Sequence, residues 1–402
     1  MNLKYFFTIF FITAFIIPCF FTNFSSAEEM IHVGEKGYEH KSIQSAVDSA
    51  KSGDTIFVHC GLYNESVDLY KNINLVGEVG CTILTAKDDD IISINANGCT
   101  VSGFVIINCS NNDFSGINIE SDNNVIENNA IEENSGWGVY IYHSSNNIIR
   151  NNTFKNDSIC LIGQKSEWTS STLQNNTVNN LPVLFYKNEK NLEISNQIAG
   201  QIILANCSYC EIINNTVSGS DQGIILGHCS NNSVEKNHAS NTVMGIRLQY
   251  TENNVVRKNN VSNNDYGLYI THSNRNEIYE NEIFLNKIYG CYLCCNSKNN
   301  EFHRNNFSLN DVSAFDYFEN NWSKENIGNY WSDYAGFDSN NDGIGDTPYD
   351  IPPDYGSNKD NHPIVDYNLI KKESNGTSGF SIAILVFSLI FILFLGKRRY
   401  IT

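Results

Sequence analysis

The chain has 402 residues and a formal net charge of −18, which argues against a nucleic-acid partner because phosphates need a Lys/Arg face. The same charge disfavours an unaided polyanion binder, unless calcium bridges the two. Hydrophobic residues are an ordinary 41% but charged ones only 17%, so the chain can bury a large core while Asn supplies the missing polar surface.

At the N-terminus Lys4 precedes an apolar run from Tyr5 to Phe21 and the small residues Ser25, Ser26 and Ala27. This layout predicts a signal peptide over 1–27, with an uncleaved anchor as the alternative; both export the rest. Of the 12 cysteines Cys19 falls in that segment, and the eleven others cannot all pair with one another. N-x-S/T triplets such as those at Asn64, Asn151 and Asn214 are permissive for glycosylation.

Ile43, Ala46, Val47 and Ala50 have helical spacing, and Gly53-Asp54 ends that run before the alternating strand Thr55-Ile56-Phe57-Val58. A short helix here would cover the open end of a coil stack. From about 100 to 320 a repeat dominates. Gly-apolar-x-apolar segments begin at Gly116, Gly138, Gly223, Gly245, Gly267 and Gly290, 22 or 23 residues apart wherever two are consecutive. Asn-Asn-x-apolar segments recur in phase, as at Asn123-Asn124-Val125-Ile126 and Asn253-Asn254-Val255-Val256. The β-branched, Asn-rich strands lack the Leu spacing of a horseshoe repeat. They fit three-strand coils stacked about 4.8 Å apart, with Asn in left-handed turns. The expected fold is all-β, a right-handed parallel β-helix over 31–320 with an N-terminal capping helix. Residues 161–201, with Gln164 to Thr169 and Pro182, read as one or two irregular coils.

The opening segment, with Gly61-Leu62-Tyr63-Asn64-Glu65 and Ile73-Asn74-Leu75-Val76-Gly77, resembles the start of pectin-lyase-like β-helix proteins. The Asn-rich coils are similar to the NosD-type repeat family, named after a copper-site accessory protein. The resemblance covers about 31–366 and implies the fold; its members include sugar hydrolases, lyases, carbohydrate binders and envelope proteins.

Alternation points the middle residue of each Gly-apolar-x-apolar strand outward, in a row through Asn118, Tyr140, Ile225, Arg247, Tyr269 and Tyr292. Tyr140, Arg247, Tyr269 and Tyr292 would make a platform for a polysaccharide or envelope glycan; cross-strand stacking on a solvated face is the plainer reading. Asp221 and Asp265 hold equivalent places two coils apart and are the weak candidates for a hydrolytic pair; Gly-His-Gly and Arg-x-Lys are absent. Soft ligands form a column at His143, Asn206, His228, Tyr250 and His272, with Cys207 and Cys229 one place later. His228 and His272 would stand about 9.6 Å apart, too far to share an ion, so copper is not expected.

Residues 321–366 read as a C-terminal cap around Asp338-Ser339-Asn340-Asn341-Asp342-Gly343-Ile344-Gly345-Asp346. Asp338, Asn340, Asp342, the Ile344 carbonyl and Asp346 have the spacing of a calcium loop, without the closing Glu of an EF-hand. Short calcium turns of dockerin and thrombospondin type are similar. Tyr330, Trp331 and Tyr334 plug the end of the coil stack or stack on sugars, and Asn329 to Tyr334 with Asp360 to Ile364 resembles the closing segment of archaeal NosD-like surface proteins. A polar spacer (367–379), an apolar run (380–396) and basic residues (397–402) then predict a membrane anchor, positive side inward. Ser378-Gly379-Phe380 before that short run resembles archaeal sorting tails cut by a membrane transpeptidase. The reading is a surface protein, carbohydrate-binding or an envelope component and not an enzyme; the alternatives are a polysaccharide hydrolase or lyase and a copper-site accessory protein.

Overall fold

The computed structural model describes residues 29–110, 113–353 and 358–366; the expected signal segment, spacer and apolar tail lie outside them. No helix among the described residues is long and apolar enough to cross a membrane.

The coils form a right-handed parallel β-helix of short strands. Helix α1 (Ile43–Ser49) lies over its N-terminal end as expected and buries Ile43, Ala46 and Val47. Its first turn is held by Glu65, whose carboxylate accepts from the Ser42 hydroxyl (2.7 Å) and the Ile43 and Gln44 amides (2.8 and 3.1 Å). Such a negative charge complements the unpaired N–H groups of a helix start.

Asn builds the turns in two ways. The first Asn of each Asn-Asn-x-apolar segment takes a left-handed φ, as at Asn123, Asn146, Asn231 and Asn253 (55° to 62°). The second turns inward into a buried column. In the longest column Asn215, Asn237, Asn259, Asn281, Asn305 and Asn329 follow one another on successive coils. The Oδ1 of each accepts from the backbone N–H and Nδ2 of the Asn before it, at 2.8–3.1 Å. Each Nδ2 also donates to a strand carbonyl, as Asn259 does to Val234 at 2.9 Å. Both polar atoms of each inward amide are thereby paired.

Three of the columns end on carboxylates. The last donors, the Asn329 N–H and Nδ2, meet Asp360 Oδ2 at 2.6 and 3.3 Å, and the Trp331 indole donates to the same oxygen. A second column finishes where Asn320 Nδ2 donates to Asp316, and a third where Asn134 donates to Asp157.

The expected single continuous stack is interrupted inside the irregular segment. Strands Thr177–Val178 and Leu181–Lys187 pair antiparallel around Asn179-Asn180, whose φ values of 49° and 65° suit a tight hairpin turn. Six parallel strands before the turn and seven after it share one thirteen-stranded sheet but run in opposite senses. A right-handed coil whose strand direction is inverted must carry its interior on the other face of the sheet. Accordingly Ile202, Leu204, Ile224 and Leu226 belong to the core of the second stack, while their alternates Ile203, Ala205 and Ile225 join the core of the first. Helix α2 (Lys165–Ser170) sits in this junction and lays Trp168 directly on Gly227, where a Cβ would come within 2.2 Å of the ring.

Asn259→Ala is expected to strand the Asn237 amide groups and the Val234 carbonyl. It should cost about 2–4 kcal/mol, read as a lowered urea midpoint, whereas Asn253→Gly, at an exposed left-handed turn, should leave the midpoint nearly unchanged.

Candidate functional site

The outer face of the shared sheet changes character along the second stack. Ile203 and Ile225 are covered by the first stack, Arg247 is next in register, and Tyr269, Tyr292 and Phe315 continue outward. Tyr269 and Tyr292 stack at 5.3 Å and 21°, and Tyr292 and Phe315 at 5.6 Å and 18°. Tyr266 and Tyr289 form a second row beside them, 5.8 Å apart, and Tyr317 closes the far end against Phe315. The ribbon is therefore wider than the single file expected. The doublets Tyr266-Gly267-Leu268-Tyr269 and Tyr289-Gly290-Cys291-Tyr292 carried the signal for it.

The expected outer row is in fact two rows. Asn118, Tyr140 and Cys160 align on one sheet of the first stack, and Ile225, Arg247, Tyr269 and Tyr292 on the shared sheet. The junction sets them at a corner, where Arg247 Nη1 lies 3.5 Å from Cys160 Sγ and donates to Gln222 Oε1 at 3.0 Å. Arg247 is thus not on an open face, being only 5% exposed because the end of the first stack covers it. Among the described residues no ion pair to Arg247 is formed, and its Nε and the Gln222 Nε2 are buried without partners there. A guanidinium held this way favours an incoming acceptor. Burial raises the Tyr140 and Tyr269 hydroxyls well above their ordinary range, and Arg247 opposes that shift at both.

Asp221 and Asp265 do not face a groove together. Asp265 pairs with Lys287 at 2.9 Å on the surface. Asp221 is buried in the junction, accepting from the Ser158 hydroxyl at 3.1 Å. Its neighbour is Asp157, fully buried, with one oxygen on Asn134 and Oδ1 unpartnered. Burial lifts both carboxyls far above the ordinary carboxylate range, and Asp221 lifts Asp157 further, so the pair retains a proton near neutrality.

The turn column stacks as rings. Tyr250 lies between His228 (4.9 Å) and His272 (4.5 Å), and the His228 ring nitrogen meets the Gly163 carbonyl at 2.9 Å. His143 meets Glu167 at 3.3 Å, Asn206 donates to Asn188, and the Cys207 N–H donates to Cys229 Sγ inside the core. A groove of about 550 Å³ on another face, lined by Tyr209, Asn231, Asn253, Arg257 and Tyr279, was not anticipated. Arg257 there is held by Glu235 (2.6 Å) and Tyr279 (3.0 Å).

In the acidic loop Asp338 accepts from the Asp342 and Gly343 amides, Asn340 from Asp342, Asp342 from Ile344, and Asp346 from Ser339. The three carboxylates do not form a cluster within 4.8 Å; among the described residues two such clusters occur. One comprises Cys60, Glu78 and Cys81, where the cysteines are disulfide-bonded across neighbouring coils. In the other Lys324 sits among Glu277, Glu301 and His303, bonded to both glutamates.

Coil geometry and Asn columns place the chain among right-handed parallel β-helix proteins. Residues 45–201 match the family described as a right handed beta helix region, and residues 163–336 that described as periplasmic copper-binding protein (NosD). The chain is a NosD-like right-handed β-helix protein. It is 38% identical over 69 residues to a probable ABC transporter binding protein NosD of Pseudomonas aeruginosa, covering 17% of this chain and 16% of that one. Over 63 residues it is 41% identical to the protein of the same description from Stutzerimonas stutzeri, covering 15% and 14%. The chain thus spans about one-sixth of the curated relatives' length. Solved structures that resemble it include the A-module of mannuronan C-5 epimerase AlgE4 from Azotobacter vinelandii (15% identity, 70% of this chain and 93% of that one, TM-score 0.30). Pectate lyase Pel9A (13%, 75% and 82%, 0.32) is another. Of the soft donors beside the turn column, Cys207 and Cys229 are enclosed in apolar core, and Lys324 fills the cluster of Glu277, Glu301 and His303; the ring nitrogens of His32 and His59 meet at 3.1 Å near the N-terminal end.

The shared proton gives a pH test. Unfolded, Asp157 and Asp221 titrate near 4; folded, their values are raised, so the stability they contribute is lost as pH rises through neutrality to about 8. Buried Asp316 and Asp360 act in the same direction. The buried histidines, whose values are lowered, act oppositely but only below their ordinary titration range. The urea midpoint should therefore fall between pH 6.5 and about 8, and Asp157→Asn should remove most of that fall; a wild-type midpoint that rises would contradict the shared proton.

Proposed function

We propose that this is an exported, non-catalytic surface protein that binds carbohydrate along the tyrosine ribbon, with Arg247 and Tyr140 at its closed end. The observation that carries this reading is the stacked ribbon of Tyr269, Tyr292 and Phe315, which runs up to a buried guanidinium that pairs with no carboxylate among the described residues. Flat rings in register offer sugar faces a repeating apolar surface, and the buried guanidinium holds the closed end of the ribbon against Cys160 and Gln222. Export is supported by the N-terminal apolar run, by the Cys60–Cys81 disulfide, a bond that persists in oxidising compartments, and by the periplasmic family description. The C-terminal run would tether the chain to the membrane, directly or after transpeptidase cleavage; intact mass separates the two.

The test is retention of a panel of neutral and acidic polysaccharides by the purified chain, alongside release of reducing ends and unsaturated products. One polysaccharide should be retained without product, and Tyr269→Ala and Tyr292→Ala should each weaken it roughly tenfold, about 1.4 kcal/mol. Product formation would replace this reading with a hydrolase or lyase.

We further propose that Asp338, Asn340, Asp342, Asp346 and the Ile344 carbonyl take calcium. The loop amides already orient these side chains, and among the described residues none of the three carboxylates pairs with a Lys or Arg. Millimolar calcium should raise the melting temperature relative to chelator by a few degrees, and Asp342→Ala should abolish the rise; absence of any calorimetric heat would remove the ion from the account.

A further inference from the structure

Cys294 and Cys295 differ from the other free thiols. They are adjacent in the chain with sulfur atoms 2.6 Å apart, inside normal contact distance and within about 0.6 Å of a disulfide bond length. Cys294 ends strand Tyr289–Cys294 and is 8% exposed, while Cys295 is exposed. Cys295 takes a φ of 56° and continues the turn column of His228, Tyr250 and His272, its carbonyl accepting from the His272 amide at 3.1 Å. Cys294 is a close electrostatic neighbour of both Tyr269 and Tyr292; Tyr292 shares its strand, and Tyr269 lies on the strand paired with it in register. The pair therefore adjoins the ribbon.

We propose that Cys294 and Cys295 form a reversible disulfide between neighbouring residues, and that its redox state sets the binding strength of the tyrosine ribbon. The oxidant is a small-molecule or protein disulfide. The accessible Cys295 thiolate attacks it, forming a mixed disulfide and releasing one thiolate; Cys294, losing its proton, then displaces the second. Two S–H bonds are lost, one S–S bond forms, two protons leave, and the incoming disulfide is reduced to two thiols. Burial raises the Cys294 thiol to about 12, which assigns the first attack to Cys295.

Consecutive Cα atoms lie about 3.8 Å apart, below the roughly 4.4–6.8 Å that disulfides usually span. The bond is consequently strained and easily reduced, as labile and regulatory disulfides are, whereas Cys60–Cys81 has an ordinary Cα separation of 4.8 Å. Oxidation removes the Cys294 thiol hydrogen beside Tyr269 and Tyr292 and pulls its sulfur toward Cys295. The chemical modification stands independently of what the ribbon binds; its regulatory consequence rests on the carbohydrate reading.

The test uses the full chain equilibrated in glutathione buffers of graded ratio, trapped with N-ethylmaleimide, digested and weighed. The peptide holding Cys294 and Cys295 should be lighter by two hydrogens, carry no maleimide, and open under milder reduction than Cys60–Cys81. Maleimide on both thiols in the oxidised protein, or Cys295 bonded to another cysteine, would overturn the proposal. Retention of the bound polysaccharide should differ at least threefold between redox states in the wild type and not at all in a Cys294→Ser, Cys295→Ser variant. Equal retention with the bond demonstrated would defeat the control of the ribbon. No retention in either state, with the bond present, would defeat the carbohydrate reading and leave the modification site standing.

Discussion

The inward Asn side chain at each turn is the constraint on which the molecule depends. A coil of three short strands has to bury its corners, and each corner carries an N–H and a carbonyl outside the regular sheet pairing. One side-chain amide, accepting from an N–H of the coil before and donating to a carbonyl of that same coil, satisfies both without adding width, and its second N–H reaches the amide of the coil after. Because every amide points the same way, the column has a direction, and its last donors are unmatched at one end only. Asp157, Asp316 and Asp360 stand at those ends, each buried and each with its carboxyl raised by that burial. The carboxylates close amide columns by the same logic that places acidic groups at helix starts.

The other organising event is the reversal at Asn179-Asn180. Two residues with positive φ invert the strand direction, and handedness then moves the core to the opposite face of the shared sheet. The outer side of the second stack is left partly covered by the first, and the boundary of that cover falls at Arg247. A guanidinium stranded between Cys160 and Gln222 is thus a by-product of topology, as is the ribbon that begins one coil later. The Asp157–Asp221 pair belongs to the same seam, joining residues 64 positions apart in sequence.

Much of this was legible in the sequence because periodicity is a local property repeated many times. The 22-residue spacing of Gly223, Gly245 and Gly267, the phased Asn pairs and the amphipathic run at Ile43 determine coil, turn and cap without long-range information. The irregular coils were placed correctly from Gln164 to Thr169 and Pro182. What they do to the fold was not legible, since the sign of φ at two ordinary asparagines decides which face becomes interior. For that reason Arg247 was read as solvent-facing and Asp221 as one of a catalytic pair. Tyr269 and Tyr292 kept their expected places because alternation along a strand survives the change of interior.

The one-way columns bear on how the chain acquires its structure. Each coil supplies acceptors for the donors of the coil made just before it, so a nascent stack always ends in waiting N–H groups, and the next coil to emerge is the one that can fill them. Growth is therefore templated from the N-terminal end, and whole coils can be inserted or lost within a stack over evolution while the same aspartates terminate it. Length in such a protein is a free variable, set by the number of repeats that separate cap from cap.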